Sequence, residues 1–216
     1  QVINCLFAEN HSPSGTPGAS GTSNGSFVQY MNCTFTNNSA ASAGGLSVHR
    51  DGKASVSNCI FWNNSPKQIA VRGIQEGAFS ELYVNHSNIQ HGNDSIEVDS
   101  LAALYWGNGN ISENPLFFDP DNGDYRLQEE SPCIDAGIDS LDINGTWLYA
   151  PETDMDINLP PQAGSTLIDL GAYENQDVLA IPSSMDSDNS SITAYPNPFD
   201  NQLKIDLRIH EPSLVS

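Results

Sequence analysis

Positive charge is what this sequence most lacks. Its 216 residues hold seven Lys and Arg against 27 Asp and Glu. A chain this acidic is not drawn to phosphate backbones, which argues against nucleic acid as a partner. It also repels acidic polysaccharide, except where a local basic groove overrides the net charge. Long apolar runs are missing too: none approaches the roughly 18 residues of a membrane span. Cysteine is scarce, with four residues lacking the dense, even spacing of a disulfide framework. There are no helical segments and no leucine pattern of the kind that marks a leucine-rich repeat. The chain starts at Gln1 rather than Met, and its first repeat begins at once. The expectation is therefore the tail of a longer protein, in which a missing signal peptide carries no information.

What is present is a repeat. Cys33 is followed by Phe35 and Asn38; Cys59 by Phe61 and Asn64; Cys5 by Phe7 and Asn10. A weaker copy has Ser87, Ile89 and Gly92 at these places. The period, 26 to 28 residues between cysteine positions, indicates a stacked repeat protein. Three residues before the cysteine position stand Val2, Tyr30, Val56 and Val84; five before it stand Val28, Ala54 and Leu82. Steps of two are strand spacing, with alternate side chains on one face. Between the third residue back and the cysteine the parity flips, which calls for a corner at Asn4, Asn32, Asn58 and His86. Asn tolerates the left-handed backbone that such a corner needs. The fold class that follows is all-β: a parallel β-helix whose rungs stack at about 4.8 Å, with Cys on Cys, Phe on Phe and Asn on Asn. Leu46 and Val48, Ile69 and Val71, and Ile96 and Val98 supply a third strand per turn. His11 to Gly25 has no apolar alternation and reads as a loop.

Cysteine packs well as a small buried hydrophobe, so an unbridged inward ladder is the plainer reading. Rung spacing would also allow a Cys5–Cys33 or Cys33–Cys59 bridge. The redox compartment is left open.

The Phe-x-x-Asn units at Phe7–Asn10, Phe35–Asn38 and Phe61–Asn64, with Gly44-Gly45-Leu46, resemble the repeats of polymorphic outer-membrane proteins and of right-handed parallel β-helix proteins generally. The resemblance covers about residues 1–111 and implies fold rather than activity, since adhesins and polysaccharide lyases share this scaffold. Beyond it come Asn114-Pro115-Leu116-Phe117, the run Asp119 to Leu127, Ser131-Pro132-Cys133 to Gly137, and Asp169 to Glu174. This set, over 112–175, looks like the small module that closes bacterial β-helix proteins ahead of a surface anchor. It is expected to be an all-β cap over the open edge of the last rung. Residues 176–191 are polar and read as a linker. Tyr195-Pro196-Asn197-Pro198-Phe199, with alternating Leu203, Ile205, Leu207 and Ile209, resembles the start of the type IX secretion sorting domain of Bacteroidetes. Residues 192–216 are then a shortened, partial β-sandwich tail. The resemblance implies a secreted or cell-surface protein with the type IX machinery as a partner.

No catalytic, cofactor or metal site is assigned from the sequence. Asp119, Asp121, Asn122 and Asp124 suggest a calcium loop, but glycine stands fifth rather than sixth, so a tight acidic turn is favoured. Asp154, Asp156 and Asp169 are candidates to meet within the cap. Glycan hydrolysis needs two carboxylates about 5–9.5 Å apart. Glu9, Asp51, Glu76, Glu81, Asp94 and Glu97 show no shared register, and the helix bears only Arg50, Lys53, Lys67 and Arg72 as bases. His49, His86 and His91 lack metal-ligand spacing. Trp62, Tyr105 and Trp106 could stack on sugars, although packing against a corner or the cap is the simpler role. The expectation is a non-catalytic surface scaffold, adhesin-like or glycan-binding. The alternative is the tail of a polysaccharide lyase or glycoside hydrolase with catalytic rungs upstream.

Overall fold

The computed structural model describes residues 1–14, 18–75, 79–143, 145–159 and 168–176, together with the backbone of 192–195 and 204–207. The chain is nearly all-β, with only two short 3₁₀ turns, Gly92–Ser95 and Pro120–Asn122, among the described residues. It divides into two compact units, 1–178 and 179–216.

The first unit is built on a parallel β-solenoid of about four turns. Its first face is a five-stranded sheet of Val2–Ile3, Phe27–Met31, Lys53–Ser57, Ser80–Asn85 and Ala102–Trp106. Its second face stacks Leu6–Ala8, Thr34–Thr36, Ile60–Trp62 and Asn88–Ile89. Its third stacks Ser20–Thr22, Leu46–His49, Ile69–Arg72 and Ile96–Val98. The pairing follows the repeat residue for residue: Val2, Tyr30, Val56 and Val84 are aligned, as are Phe7, Phe35 and Phe61.

Each ladder has its own physics. The phenylalanine rings stack almost parallel, at 4.5 Å between Phe7 and Phe35 and 4.3 Å between Phe35 and Phe61. Tyr30 meets Phe35 edge-on and satisfies its hydroxyl on Ser20. All four cysteines are free thiols. Cys5, Cys33 and Cys59 each donate Sγ–H to the carbonyl two residues back, and Ser87 makes the same bond with its hydroxyl. Serine therefore substitutes in the ladder by geometry as well as by size. The corners Asn4, Asn32, Asn58 and His86 all have φ between 41° and 52°. A second left-handed column, at Glu9, Asn37, Asn63 and His91, directly precedes Asn10, Asn38, Asn64 and Gly92.

Those asparagines form an amide ladder, exposed at Asn10 and buried at Asn38 and Asn64. Asn10 Nδ2 donates to Asn38 Oδ1, and Asn38 Nδ2 to Asn64 Oδ1, both at 2.8 Å. The ladder does not continue to Gly92, where the repeat would put its fourth member. Asn64 Nδ2 donates instead to Gln68 Oε1 at 2.7 Å, and Gln68 to Gln90 at 3.0 Å. An amide column terminates wherever the next long amide can reach, whichever register supplies it. Gly44 lies where a Cβ would come within 2.0 Å of the Asn38 carbonyl oxygen, so no other residue fits there.

One expectation needs correction. The segment His11 to Gly25 is not wholly a loop. His11–Ser12 pairs with Ser39–Ala40, and Ser20–Thr22 pairs with Leu46–Val48. Its Gly and Ser residues carry no strand signal of their own, but the neighbouring turn offers carbonyls at Ala43, Gly44 and Gly45 that the amides of residues 18 to 20 take up. A templated edge strand needs little intrinsic propensity.

Residues 112–175 meet the edge of the last second-face strand at Asn88, which exchanges bonds with Glu113 and donates to Cys133 Sγ. They also run along the flank of the solenoid. Phe117, Tyr125, Leu127, Cys133 and Leu170 close over the outward residues of the second face, burying Ile60 and packing on Leu6, Ala8 and Trp62. The hairpin Ser140–Ile143 with Thr146–Tyr149 covers Met31 and part of Tyr83 on the first face. Corner asparagines stitch the two parts together: Asn58 exchanges bonds with Ile138 N and O, Asn32 donates to Asp169 O, and Asn4 to Thr153 O. The second face is thus a sheet buried on both sides, which explains its apolar outward residues.

In the second unit the described backbone is an antiparallel pair, Ile192–Tyr195 with Lys204–Leu207. Most of the linker, the Pro196–Phe199 run, Leu203 and Ile209 lie outside the described residues.

Candidate functional site

The first face carries an aromatic surface where the hairpin leaves it open. Tyr83 and Tyr105 occupy paired positions on adjacent strands and stack at 4.5 Å. Strand alternation sets them outward while Leu82 and Leu104 point to the core. Trp106 pairs with Val84, so its parity is inward. With no strand paired beyond it among the described residues, it is left 36% exposed. Tyr83, Asn85, Tyr105 and Trp106 on one side, and Asp142 and Ile143 of the hairpin on the other, border an open cleft of about 420 Å³. That size lies within the range of about 300–1,000 Å³ typical of ligand pockets. A smaller cleft of about 200 Å³ opens on the other side of Tyr83, against Phe27, Lys53 and Thr146.

The hairpin adds a second aromatic pair. Leu141, Ile143 and Leu148 pack toward the solenoid, so Trp147 and Tyr149 project to solvent, 57% and 68% exposed. Their rings lie 6.3 Å apart and 22° from parallel. Asp142 borders the cleft, and its pairing with Trp147 sets its side chain on the solvent face of the hairpin. Sequence reading overlooked this pair. The available signal was Asn144-Gly145, the strongest short hairpin mark, before an alternating Thr-Trp-Leu-Tyr strand. Gly145 indeed has φ 83°.

The polar groups beside the cleft are engaged with one another. Lys53 Nζ binds Glu81 Oε1 at 2.9 Å, and the Tyr83 hydroxyl donates to Glu81 Oε2 at 2.6 Å. Burial opposes ionisation of Glu81, but the bonds from Tyr83 and Lys53 outweigh it and lower its pKa. Lys53 and Glu81 sit six residues before successive repeat positions, a coincidence of register that sequence reading overlooked.

The other candidate carboxylates are dispersed. Glu9 accepts the Tyr125 hydroxyl at the second corner. Asp51 forms part of the turn after the third face, beside Arg50, both in left-handed backbone. Arg72 clamps Glu97 through both carboxylate oxygens at 2.6 and 2.7 Å, half-exposed on the third face. Lys67 donates to the Asp94 carbonyl rather than to its carboxylate. Glu76 lies outside the described residues. Trp62 is packed among the residues of the flanking module. His49 and His86 each keep a buried Nδ1 without a hydrogen-bond partner in the described structure, and burial lowers both pKa values.

In the module, Asp119 to Asp124 is a tight turn in which Asn122 Nδ2 binds Asp119 Oδ2 and Gly123 takes φ 80°. Asp154 and Asp169 do come together, but Asp156 turns away to Arg126. The third member of the buried group is Glu174. These carboxylates serve as acceptors for main-chain amides: Asp169 for Asp135 and Asn175, Glu174 for Asp169, and Asp154 for Asp156, Asn158 and Glu174. Burial raises Asp169 to about 6 and, with the Asp169 charge beside it, Glu174 to about 8. Among the described residues no three His, Cys, Asp or Glu side chains are placed to hold a metal ion. No helix there is long and apolar enough to cross a membrane.

No family model, curated protein or solved structure matches this chain.

Proposed function

We propose that this chain is a non-catalytic, glycan-binding part of a secreted or cell-surface protein, an adhesin-like scaffold. The observation that carries this reading is the aromatic cleft on the first face. Stacked Tyr83 and Tyr105, with Trp106 at the rim, offer ring faces to the C–H face of a pyranose. Asn85 and Asp142 stand beside them as partners for sugar hydroxyls. Five hydrogen-bonded strands hold this surface rigid, so little order has to be imposed on binding. The resemblance of Tyr195–Phe199 to a type IX sorting domain supports delivery to the outside, with that secretion machinery as a partner.

The test is retention of the full chain in affinity gels cast with soluble polysaccharides. Retention that weakens at least about tenfold in Tyr105→Ala, the order expected for an aromatic anchor, supports the reading. A chain that no polysaccharide retains overturns it, and so does release of reducing ends or unsaturated sugars by the purified protein.

A further inference from the structure

The cleft between the first face and the hairpin also carries information about which glycans it takes. We infer that its occupant is an uncharged hexose polymer rather than a polyuronate or sulfated chain. This inference rests on the glycan-binding reading above.

Three observations support it. First, the nearest cation is already neutralised. Lys53 is bound to Glu81, whose other oxygen accepts from Tyr83. An incoming carboxylate would have to share Lys53 with Glu81, and an exposed, already paired cation offers it little. Second, the charged group that lines the larger cleft is Asp142, and it is negative. Its side chain shares the exposed face of the hairpin with Trp147, so a uronate bound nearby would meet a negative field and, among the described residues, no cation. Third, three other cations are engaged elsewhere. Arg72 is clamped to Glu97 on the third face, Arg126 lies between Asp124 and Asp156 in the module, and Lys67 binds the carbonyl of Asp94. Arg50 sits in the turn after the third face. The long-range field, set by a net charge of −20, points the same way.

What the site does offer suits a neutral sugar. Aromatic faces attract apolar C–H surfaces without regard to net charge. Asn85 both donates and accepts, and Asp142 accepts from hydroxyls, where a charged acceptor gives the stronger bond. Trp147 and Tyr149, on the outer side of the same hairpin, extend the aromatic surface past Asp142, which favours a polymer over a single sugar.

The experiment compares the full chain on two sets of probes. One set is uncharged, hydroxyethyl cellulose and a galactomannan; the other is acidic, polygalacturonate and alginate. Each is run at about 0.01 M and about 1 M salt, across which the screening length falls from about 30 Å to about 3 Å. The expected result is retention by an uncharged probe that changes less than about twofold with salt and is lost about tenfold or more in Tyr105→Ala. Tyr105 is half-exposed, so this variant tests the site rather than the fold. Acidic polymers retained more tightly than neutral ones, with retention that collapses in salt, would overturn the ligand class while leaving glycan binding standing. Neutral retention unaffected by Tyr105→Ala would overturn the assignment to this cleft. A chain retained by neither set would remove the glycan reading itself, and the inference with it.

Discussion

The solenoid and the module on its flank solve the same problem, burying a β surface, by opposite means. In the solenoid each residue type stacks on its own kind, so one turn's solution is copied to the next: Phe35 between Phe7 and Phe61, Asn38 between Asn10 and Asn64. The module repeats nothing. Its loops are pinned one at a time, by buried carboxylates that gather main-chain amides and by corner asparagines that reach across from the solenoid. The first design rests on phenylalanine and amide columns that do not titrate, and it is redundant along its axis. The second depends on ionisable groups and on single contacts, so perturbations should separate the two.

The largest effect is expected from Phe35→Ala. Its ring is fully buried between two others, and its loss should cost about 3–5 kcal/mol in denaturant unfolding. Phe7→Ala should cost clearly less, because that ring is only half-buried and has one stacking neighbour. Equal costs would show that the ladder does not act through stacked burial. Next comes Asn38→Ala, which leaves the Asn10 amide and the Phe7 carbonyl without their buried partner, at about 1–3 kcal/mol. A change near zero would mean that water takes over the amide column.

The third prediction turns on the module. Asp169 and Glu174 hold their protons more tightly folded than unfolded, since both pKa values are raised. Their contribution is therefore complete below an unfolded value near about 4, and it is lost as pH climbs through about 6 for Asp169 and about 8 for Glu174. Melting temperature should fall across this window, and Glu174→Gln, which stays neutral, should flatten its upper half. A slope identical to that of the parent protein would refute the raised Glu174 value. The smallest effect belongs to Cys59→Ser, about 1 kcal/mol, since Ser87 already makes the ladder's carbonyl bond with a hydroxyl. A loss several times larger would show that sulfur's bulk, rather than its hydrogen bond, holds that column.

Legibility in the sequence follows the same division. The Cys, Phe and corner asparagine columns could be read because each residue recurs at a fixed offset and translation by one strand spacing turns that offset into contact. Gln68 and Gln90 could not be placed in the amide column, since they enter it from other registers. Ser20–Thr22 escaped notice because its pairing comes from the neighbouring turn and not from its own side chains. Of the candidate site, Tyr105 and Trp106 stood out at the end of the repeat, and their role as a cleft wall depends on the hairpin opposite.

By itself the sequence determined the solenoid: its period, its three faces, its inward columns and its left-handed corners. Each of these follows from local alternation and from residues that tolerate the required backbone. Only the tertiary structure decided that residues 112–176 lie along the flank, that Asp154, Asp169 and Glu174 meet in one buried group, and that an aromatic cleft stays open beside Asp142. The physical reason is distance along the chain. Contacts such as Asn58 with Ile138 and Asn32 with Asp169 join residues 80 and 137 apart. No period spans them, so their partners are chosen by shape, burial and hydrogen-bond satisfaction once the solenoid has formed.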